Sequence, residues 1–293
     1  MSKFIVTIDS SCDGNTKELY DRGVDVIFYY YSDNSSSYLD DMNEKKGKTF
    51  FENMRKGTKY STSQLNQFAY YDFFKRNLVY SKNIIHISLT EGLSSSINQA
   101  RIAASRIKEE DPSVNIYVID SLIACNGELV VVDKAIELRD NNVNVEAAKE
   151  VLEDFTIHVN TYFTTDTLTY FVRGGRLSKV SGLIGNMLRI NPVLTCAPNG
   201  NLKVEKQCRG KKNAATYIFE NISERVQKAD KQTLYICHAD NIEDANRYKE
   251  LLAPIGFKDI KIYQMGPIIG SHTGPGLIAI FYVGKQRKSK NDR

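Results

Sequence analysis

Short apolar runs, each ending in a polar turn, mark out the first half of the chain. Residues 4–8, 84–89 and 116–119 are such runs, and they stop at Asp9-Ser10-Ser11, Thr90-Glu91-Gly92 and Asp120-Ser121. Runs this short, bounded by turn residues, predict buried strands. Residues 24–31, rich in β-branched and aromatic side chains, predict one more. Between the strands, Leu65, Phe68, Ala69 and Phe73, and then Ile97, Ala100, Ala104 and Ile107, recur at the spacing of one helix face. Residues 32–48 are polar and read as a surface excursion, and residues 124–139 read as a helix interrupted at Gly127. Strand, polar loop and helix in alternation predict a largely parallel sheet. Ligands of such sheets lie beyond the carboxyl ends of the strands, where Asp9, Ser94 and Asp120 fall on this reading.

The pattern changes after residues 145–159, a predicted helix with Ala147, Val151, Leu152 and Phe155 on its apolar face. Gly174-Gly175 ends a further helix, and residues 177–188 form an apolar, small-residue helix. A strand begins near Asn191 and returns through a hairpin turn at Asn199-Gly200-Asn201. Helices are expected over residues 214–227 and 242–252, and strands over 233–238, 260–264 and 277–283. Hairpin and shorter units together predict a second α/β domain with a mixed sheet. The domains are then 1–155 and 156–293, divided near Thr156. Residues 266–276 hold four glycines, two prolines and His272. They read as a rigid loop between two strands, with proline fixing the path and glycine allowing close approach.

Composition narrows the function classes. The chain has 293 residues, 42% hydrophobic and 25% charged, with a formal net charge of +4. These proportions fit a globular protein, and the cations are too dispersed for a nucleic-acid partner. The basic residues 285–293 read as a frayed, solvated terminus. Five isolated cysteines show no metal-ligand spacing with one another or with the four histidines, so reduced thiols and no metal are expected. The N-terminus has no signal-peptide series, and no apolar run has the length of a membrane span. A cytoplasmic protein is expected. No Walker loop, dinucleotide fingerprint or nucleophile elbow is present, so no cofactor is expected.

What remains for chemistry is two hydroxyl clusters, one guanidinium and one imidazole. Ser61-Thr62-Ser63-Gln64 precedes the helix that carries Leu65 and Phe68, so its hydroxyls are expected at a helix N-terminus. Ser96 and Gln99 match a capping box, which leaves Ser94 and Ser95 in the loop before the next helix. Backbone N–H groups at such a point favour an anion. With Arg176 and His272, these hydroxyls are donors suited to a carboxylate. A serine-type triad lacks an evident acid for His272, with Asp9 and Asp120 as the remaining candidates.

Six stretches in this order resemble the DegV family of bacterial fatty-acid-binding proteins. They are Ile8-Asp9-Ser10-Ser11; Thr62-Ser63-Gln64; Gly92-Leu93-Ser94 with Gln99-Ala100; Val118-Ile119-Asp120-Ser121; Gly174-Gly175-Arg176 with Asn191-Pro192-Val193-Leu194; and residues 266–276. The resemblance implies two α/β domains with a fatty acid in a tunnel between them. It implies that Thr62 and Ser94 hold the carboxylate, with Ser63, Ser95, Arg176 and His272 in the supporting polar network. It also implies a non-catalytic subunit that presents the fatty acid to an ATP-dependent fatty acid kinase catalytic subunit, which makes acyl phosphate. A transient contact with a membrane surface is compatible with that role. The chain departs from the family pattern at Glu91, an added acid, at Ser95, which replaces a glycine, and at Leu65, where a proline is lost.

Physical chemistry is consistent with such a ligand. Burying about 15 methylenes gains on the order of 12 kcal/mol gross, at about 0.8 kcal/mol each. An ionised carboxylate needs several donors to offset its desolvation. Residues 177–188, Phe68, Phe73 and Phe171 are candidates to line the tunnel. Two other readings stay open: an enzyme using His272 or Ser94 as a nucleophile, and a lipid sensor without a kinase partner.

Overall fold

The computed structural model describes residues 3–176, 180–181 and 191–287. From the N-terminus, β1 (Ile5–Asp9) passes through a 3-10 turn at Ser10–Cys12 into α1 (Thr16–Asp21) and β2 (Val24–Ile27). β3 (Tyr30–Ser32), β4 (Ser37–Leu39), α2 (Glu44–Arg55) and β5 (Ser61–Ser63) follow. α3 (Gln67–Asn77), β6 (Asn83–Ser88), α4 (Ser96–Glu110), β7 (Asn115–Asp120), α5 (Asn126–Asp140) and α6 (Val145–Thr156) complete the first half. The second half begins with β8 (Val159–Thr164), α7 (Thr169–Arg173), β9 (Val180–Ser181), β10 (Asn191–Cys196), β11 (Leu202–Cys208) and α8 (Lys211–Arg225). It ends with β12 (Thr233–His238), α9 (Ile242–Leu252), β13 (Asp259–Gln264), α10 (Pro267–Thr273) and β14 (Ile278–Val283).

The fold is α/β. Strands β2-β1-β6-β7 form a four-stranded sheet that is parallel throughout. Its inner strands are buried along nearly their whole length, as a sheet covered on both faces requires. The second sheet, β13-β12-β14-β8-β10-β11-β9, is mixed: β12 pairs parallel with β13, whereas β14, β8 and β10 alternate antiparallel. Helix α5 lies between the two sheets. It packs on β1 and β6 on one side and on β8, β12 and β14 on the other. That position explains its run Leu129-Val130-Val131-Val132, in which all four side chains are buried. Gly127 lies in the first turn of this helix and does not interrupt it; the Ile123 side chain occupies the space a Cβ would need, which is why a glycine stands there. One apolar core runs from β1 through α5 to β14, and a second, formed by α8, α9 and the outer face of the mixed sheet, closes the other side. Asparagines cap α3 and α6: Asn66 Oδ1 accepts from Ala69 N at 2.9 Å, and Asn144 Oδ1 from Ala147 N at 2.7 Å.

Several elements differ from the sequence expectation. Residues 24–31 belong to two strands in different sheets, with Phe28 and Tyr29 between them. The polar stretch after them is not a plain excursion. It forms β4 and begins α2, whose Phe50, Phe51 and Met54 are buried. Ser61-Thr62-Ser63 is not a helix N-terminus but β5, paired with β3 in a small antiparallel sheet, and α3 starts later, after Asn66. The stretch read as a glycine-rich loop contains α10, with Pro267 at its first turn, where a missing N–H costs nothing. Of the helix expected over residues 177–188, only Val180 and Ser181 are described, and they pair as strand with β11; the rest lies outside the described residues. Within the basic tail, Arg287 is buried, not frayed: its guanidinium donates to the carbonyls of Leu122, Ala197 and Thr156.

Candidate functional site

A cavity of about 540 Å³ lies between the two sheets, below the small β3–β5 sheet. That volume is typical of small-molecule sites, roughly 300–1,000 Å³. Its inner wall is apolar and buried: Phe163 on β8, Ala279 and Phe281 on β14, Leu202 on β11, Phe171 on α7 and Ile268 on α10. Its partly exposed residues are mostly polar: Thr62, Ser63 and Gln64 at the end of β5, Glu91, Ser94 and Ser95 before α4, and Arg176 after α7, with Leu93, Ala124 and Ile269 among them. The mouth is therefore hydroxyl-rich and the interior hydrocarbon-like.

All six residues singled out in the sequence line this one cavity. Thr62 Oγ1 and His272 Nε2 are hydrogen-bonded at 2.8 Å, across 210 residues of sequence, tying β5 to α10. The other ring nitrogen, Nδ1, faces the Gly174 backbone without a well-formed hydrogen bond. A Cβ at Gly174 would collide with that nitrogen, so the glycine is what lets α7 and α10 meet here. Burial, with the Arg176 charge as a second cause, lowers the His272 pKa to about 4, so the ring is neutral at neutral pH. Arg176 donates from Nη1 to the Gly174 carbonyl at 2.6 Å, and among the described residues it has no carboxylate partner.

Ser94 and Ser95 stand at the start of α4. Ser94 Oγ accepts from Ser96 N at 3.2 Å, and Ser95 Oγ donates to Gln64 Oε1 at 2.7 Å. The capping box expected between Ser96 and Gln99 is not formed, because Ser96 is already inside the helix and its hydroxyl faces Tyr70. The added acid Glu91 is held by Arg101 at 2.8 Å and Asn98 at 3.1 Å, which lowers its pKa and turns its charge onto the flank of α4.

Two acids brace this turn from below. Asp9 accepts from Ser88 Oγ, Leu89 N, Ser11 N and Ser11 Oγ, and Asp120 accepts from Glu91 N and Leu122 N. Neither hydrogen-bonds His272, so no Ser-His-Asp arrangement forms among the described residues. Asp9 and Asp120 are positioning residues for the turn carrying Ser94. From the other side the turn meets the β10–β11 hairpin, where the backbone at Gly92 abuts Gly200 and Asn201 with no room for a Cβ.

Of the aromatic residues expected to line a tunnel, only Phe171 does so. Phe73 is buried within the first half, where the Arg76 guanidinium stacks on its ring, and Phe68 is 58% exposed. Residues the sequence reading missed include Thr161, a buried wall residue whose hydroxyl has no partner among the described residues, and Gln64, which orients Ser95. Thr161 carries no motif; only the inward face of β8 reveals it.

Comparison with known proteins gives this geometry its context. The model for the DegV family, described as "Uncharacterised protein, DegV family", matches residues 3–285. The DegV domain-containing protein YteA of Lactococcus lactis is 32% identical over 236 residues, covering 80% of this chain and 81% of its own. Among solved structures, DegV, a fatty acid binding protein from Bacillus subtilis, superposes with a TM-score of 0.85 at 25% identity, covering 97% of this chain and 100% of that one. A DegV family protein from Ruminococcus gnavus, refined with vaccenic acid, gives 0.85 at 21% identity, covering 95% and 99%. This chain belongs to the DegV family.

Proposed function

We propose that the protein binds a long-chain fatty acid, with its acyl chain in the apolar cavity and its carboxylate at the polar mouth. The carrying observation is the pairing of that apolar interior with a mouth that holds a guanidinium lacking an acidic partner among the described residues. Thr62 and Ser94 hold the carboxylate, and Ser63, Ser95, Arg176 and His272 complete the donor set. A neutral His272 donates or accepts without adding charge, and Arg176 supplies the single cation that an ionised head group needs. The relatives named as a fatty acid binding protein and as a complex with vaccenic acid support the ligand class.

The protein is a carrier and performs no catalysis. It acts in the cytoplasm and presents the carboxylate to an ATP-dependent fatty acid kinase subunit, which makes acyl phosphate. Fatty acid enters during transient contact with a membrane surface. Residues 1–155 and 156–293 are the two domains that enclose the ligand. Among the described residues no helix is long and apolar enough to cross a membrane. A nucleophilic role is disfavoured, because His272 Nε2 is engaged by Thr62 and the Ser94 hydroxyl accepts from Ser96 N, with no base bonded to it among the described residues.

Native mass spectrometry of gently purified protein tests the ligand: one fatty acid per chain is expected, released intact on denaturation. A protein that is ligand-free and fails to take up added oleate would overturn the reading. Adding the kinase subunit and ATP, with hydroxylamine to trap acyl phosphate, tests the presentation role. Loaded protein that gives no hydroxamate would leave a carrier or sensor without a kinase partner.

A further inference from the structure

Three segments far apart in sequence bring metal-binding donors together behind the cavity wall. Asp13 stands in the turn after β1, Cys125 immediately before α5 and Cys237 in β12. A carboxylate oxygen of Asp13 and the two Sγ atoms lie within 4.8 Å of one another. The residues are 2%, 3% and 0% exposed. Asp13 Oδ1 accepts from the Gly266 N–H at 2.9 Å, and Oδ2 is buried without a well-formed hydrogen bond among the described residues, the carboxylate's other near donor being the Cys125 thiol. A carboxylate oxygen taken out of water without a partner is costly, so it calls for a proton or a cation.

The surroundings sharpen that demand. Asp40 lies beside Asp13 across Gly266, and Glu128 follows Cys125 in the first turn of α5. Each has its own buried, unpartnered oxygen, Oδ2 and Oε2. Neither these acids nor Asp13 is in a salt bridge among the described residues. The neighbourhood is rich in carboxylates and, among the described residues, no cation pairs with them.

We propose that Asp13, Cys125 and Cys237 form a binding site for one thiophilic divalent cation, zinc foremost. Two sulfurs and one carboxylate oxygen suit Zn²⁺, whereas Mg²⁺ and Ca²⁺ take oxygen ligands. Three protein ligands leave a fourth tetrahedral position for water, as in open zinc sites. Cys125 also lines the cavity, which gives the ion a route in. As the two Zn–S bonds form, the two thiol protons pass to solvent and no electrons are exchanged. The ion would tie the β1 turn, α5 and β12 together, and so join the parallel sheet to the mixed one. Positions 13, 125 and 237 match no sequence motif, which is why cysteine spacing predicted unliganded thiols.

The test uses the full chain, purified under reducing conditions, stripped with chelator and titrated with Co²⁺ as a spectroscopic probe. The expected result is saturation at one equivalent, with an intense thiolate-to-cobalt charge-transfer band that Zn²⁺ abolishes. Cys237→Ala and Cys125→Ala should each abolish the band, and Asp13→Asn should weaken Co²⁺ binding at least tenfold. Native mass spectrometry of the unaltered chain gives a readout independent of variant folding: one zinc should be added at neutral pH and lost on acidification. The proposal is overturned by no saturable uptake, by uptake without a thiolate band, by an unchanged band in Cys237→Ala, or by a Cys125–Cys237 disulfide in the protein as isolated.

Discussion

His272 is the residue at which physical chemistry and proposed role meet most directly. Its pKa of about 4 lies below the ordinary 6.5, so the unfolded chain takes up a proton there before the native chain does. Stability tied to this ring is therefore present above about 6.5 and is lost as pH falls toward about 4. Buried His86, lowered to about 3, acts in the same direction, whereas the raised carboxyls Asp9 and Asp40 act in the opposite one. The clean measurement is thus a difference: His272→Gln should lose less thermal stability than the parent between pH 6.5 and 4. Parallel curves would mean that the ring is not depressed. For binding, Thr62→Val keeps the shape of the side chain and removes one donor. It should raise the fatty acid Kd about tenfold, the worth of one hydrogen bond of about 1.4 kcal/mol. Arg176→Ala removes a charge-assisted contact of about 1.5–3 kcal/mol and should cost about 10- to 150-fold. Isothermal titration with oleate checks both; unchanged affinities would remove these residues from the head-group site.

At the level of elements, α5 and α10 decide the outcome. α5 fills the space between the sheets, so Leu129→Ala should destabilise the chain by about 2–5 kcal/mol, measured by urea unfolding. The cavity wall is open to the reverse test. Ala279 on β14 is 4% exposed and faces the cavity, so Ala279→Phe places a ring where an acyl chain would lie. That variant should fold and emerge without lipid; one that still carries a long-chain acid would place the ligand elsewhere. Much of the parallel sheet and the later αβ units could be read from the sequence, because apolar runs and helical spacing there reflect burial on a simple pattern. The limits of Thr233–His238 and Ile242–Leu252 are the ones that pattern gives. α10 is not legible as a helix: the glycines and prolines of residues 266–276 suggest a loop, yet within the helix Gly270 is needed because Phe50 and Phe51 press against it. Hydroxyls in β5 were misread for a related reason. Serine and threonine are as good at caps as on a short edge sheet, and only pairing with β3 decides between them.

For the whole molecule, the convergence of Thr62, Ser94, Arg176 and His272 on one cavity was legible only as a set of motifs. The bracing by Asp9 and Asp120 was not, since it depends on parallel strand ends lying side by side. The proposed head-group residues come from both halves of the chain, so a bound fatty acid should stabilise the fold as a unit. Saturating oleate at about 100 times Kd should add about 2.7 kcal/mol, and the melting temperature should rise in one transition. A rise confined to one of two separate transitions would mean that the halves respond independently.

The contact of Gly92 with the β10–β11 hairpin bears on how such a protein can diverge. With no space for even a methyl group between that turn and Gly200, neither Gly92 nor Gly200 accepts a larger residue unless the segment facing it moves. The inner wall has no such restriction, because Phe163, Ala279 and Phe281 are ordinary side chains on regular strands. For the proposed ligand, substitutions at the inner wall can therefore alter acyl preference one at a time, whereas a change at Gly92 or Gly200 has to be met by a shift in the segment packed against it.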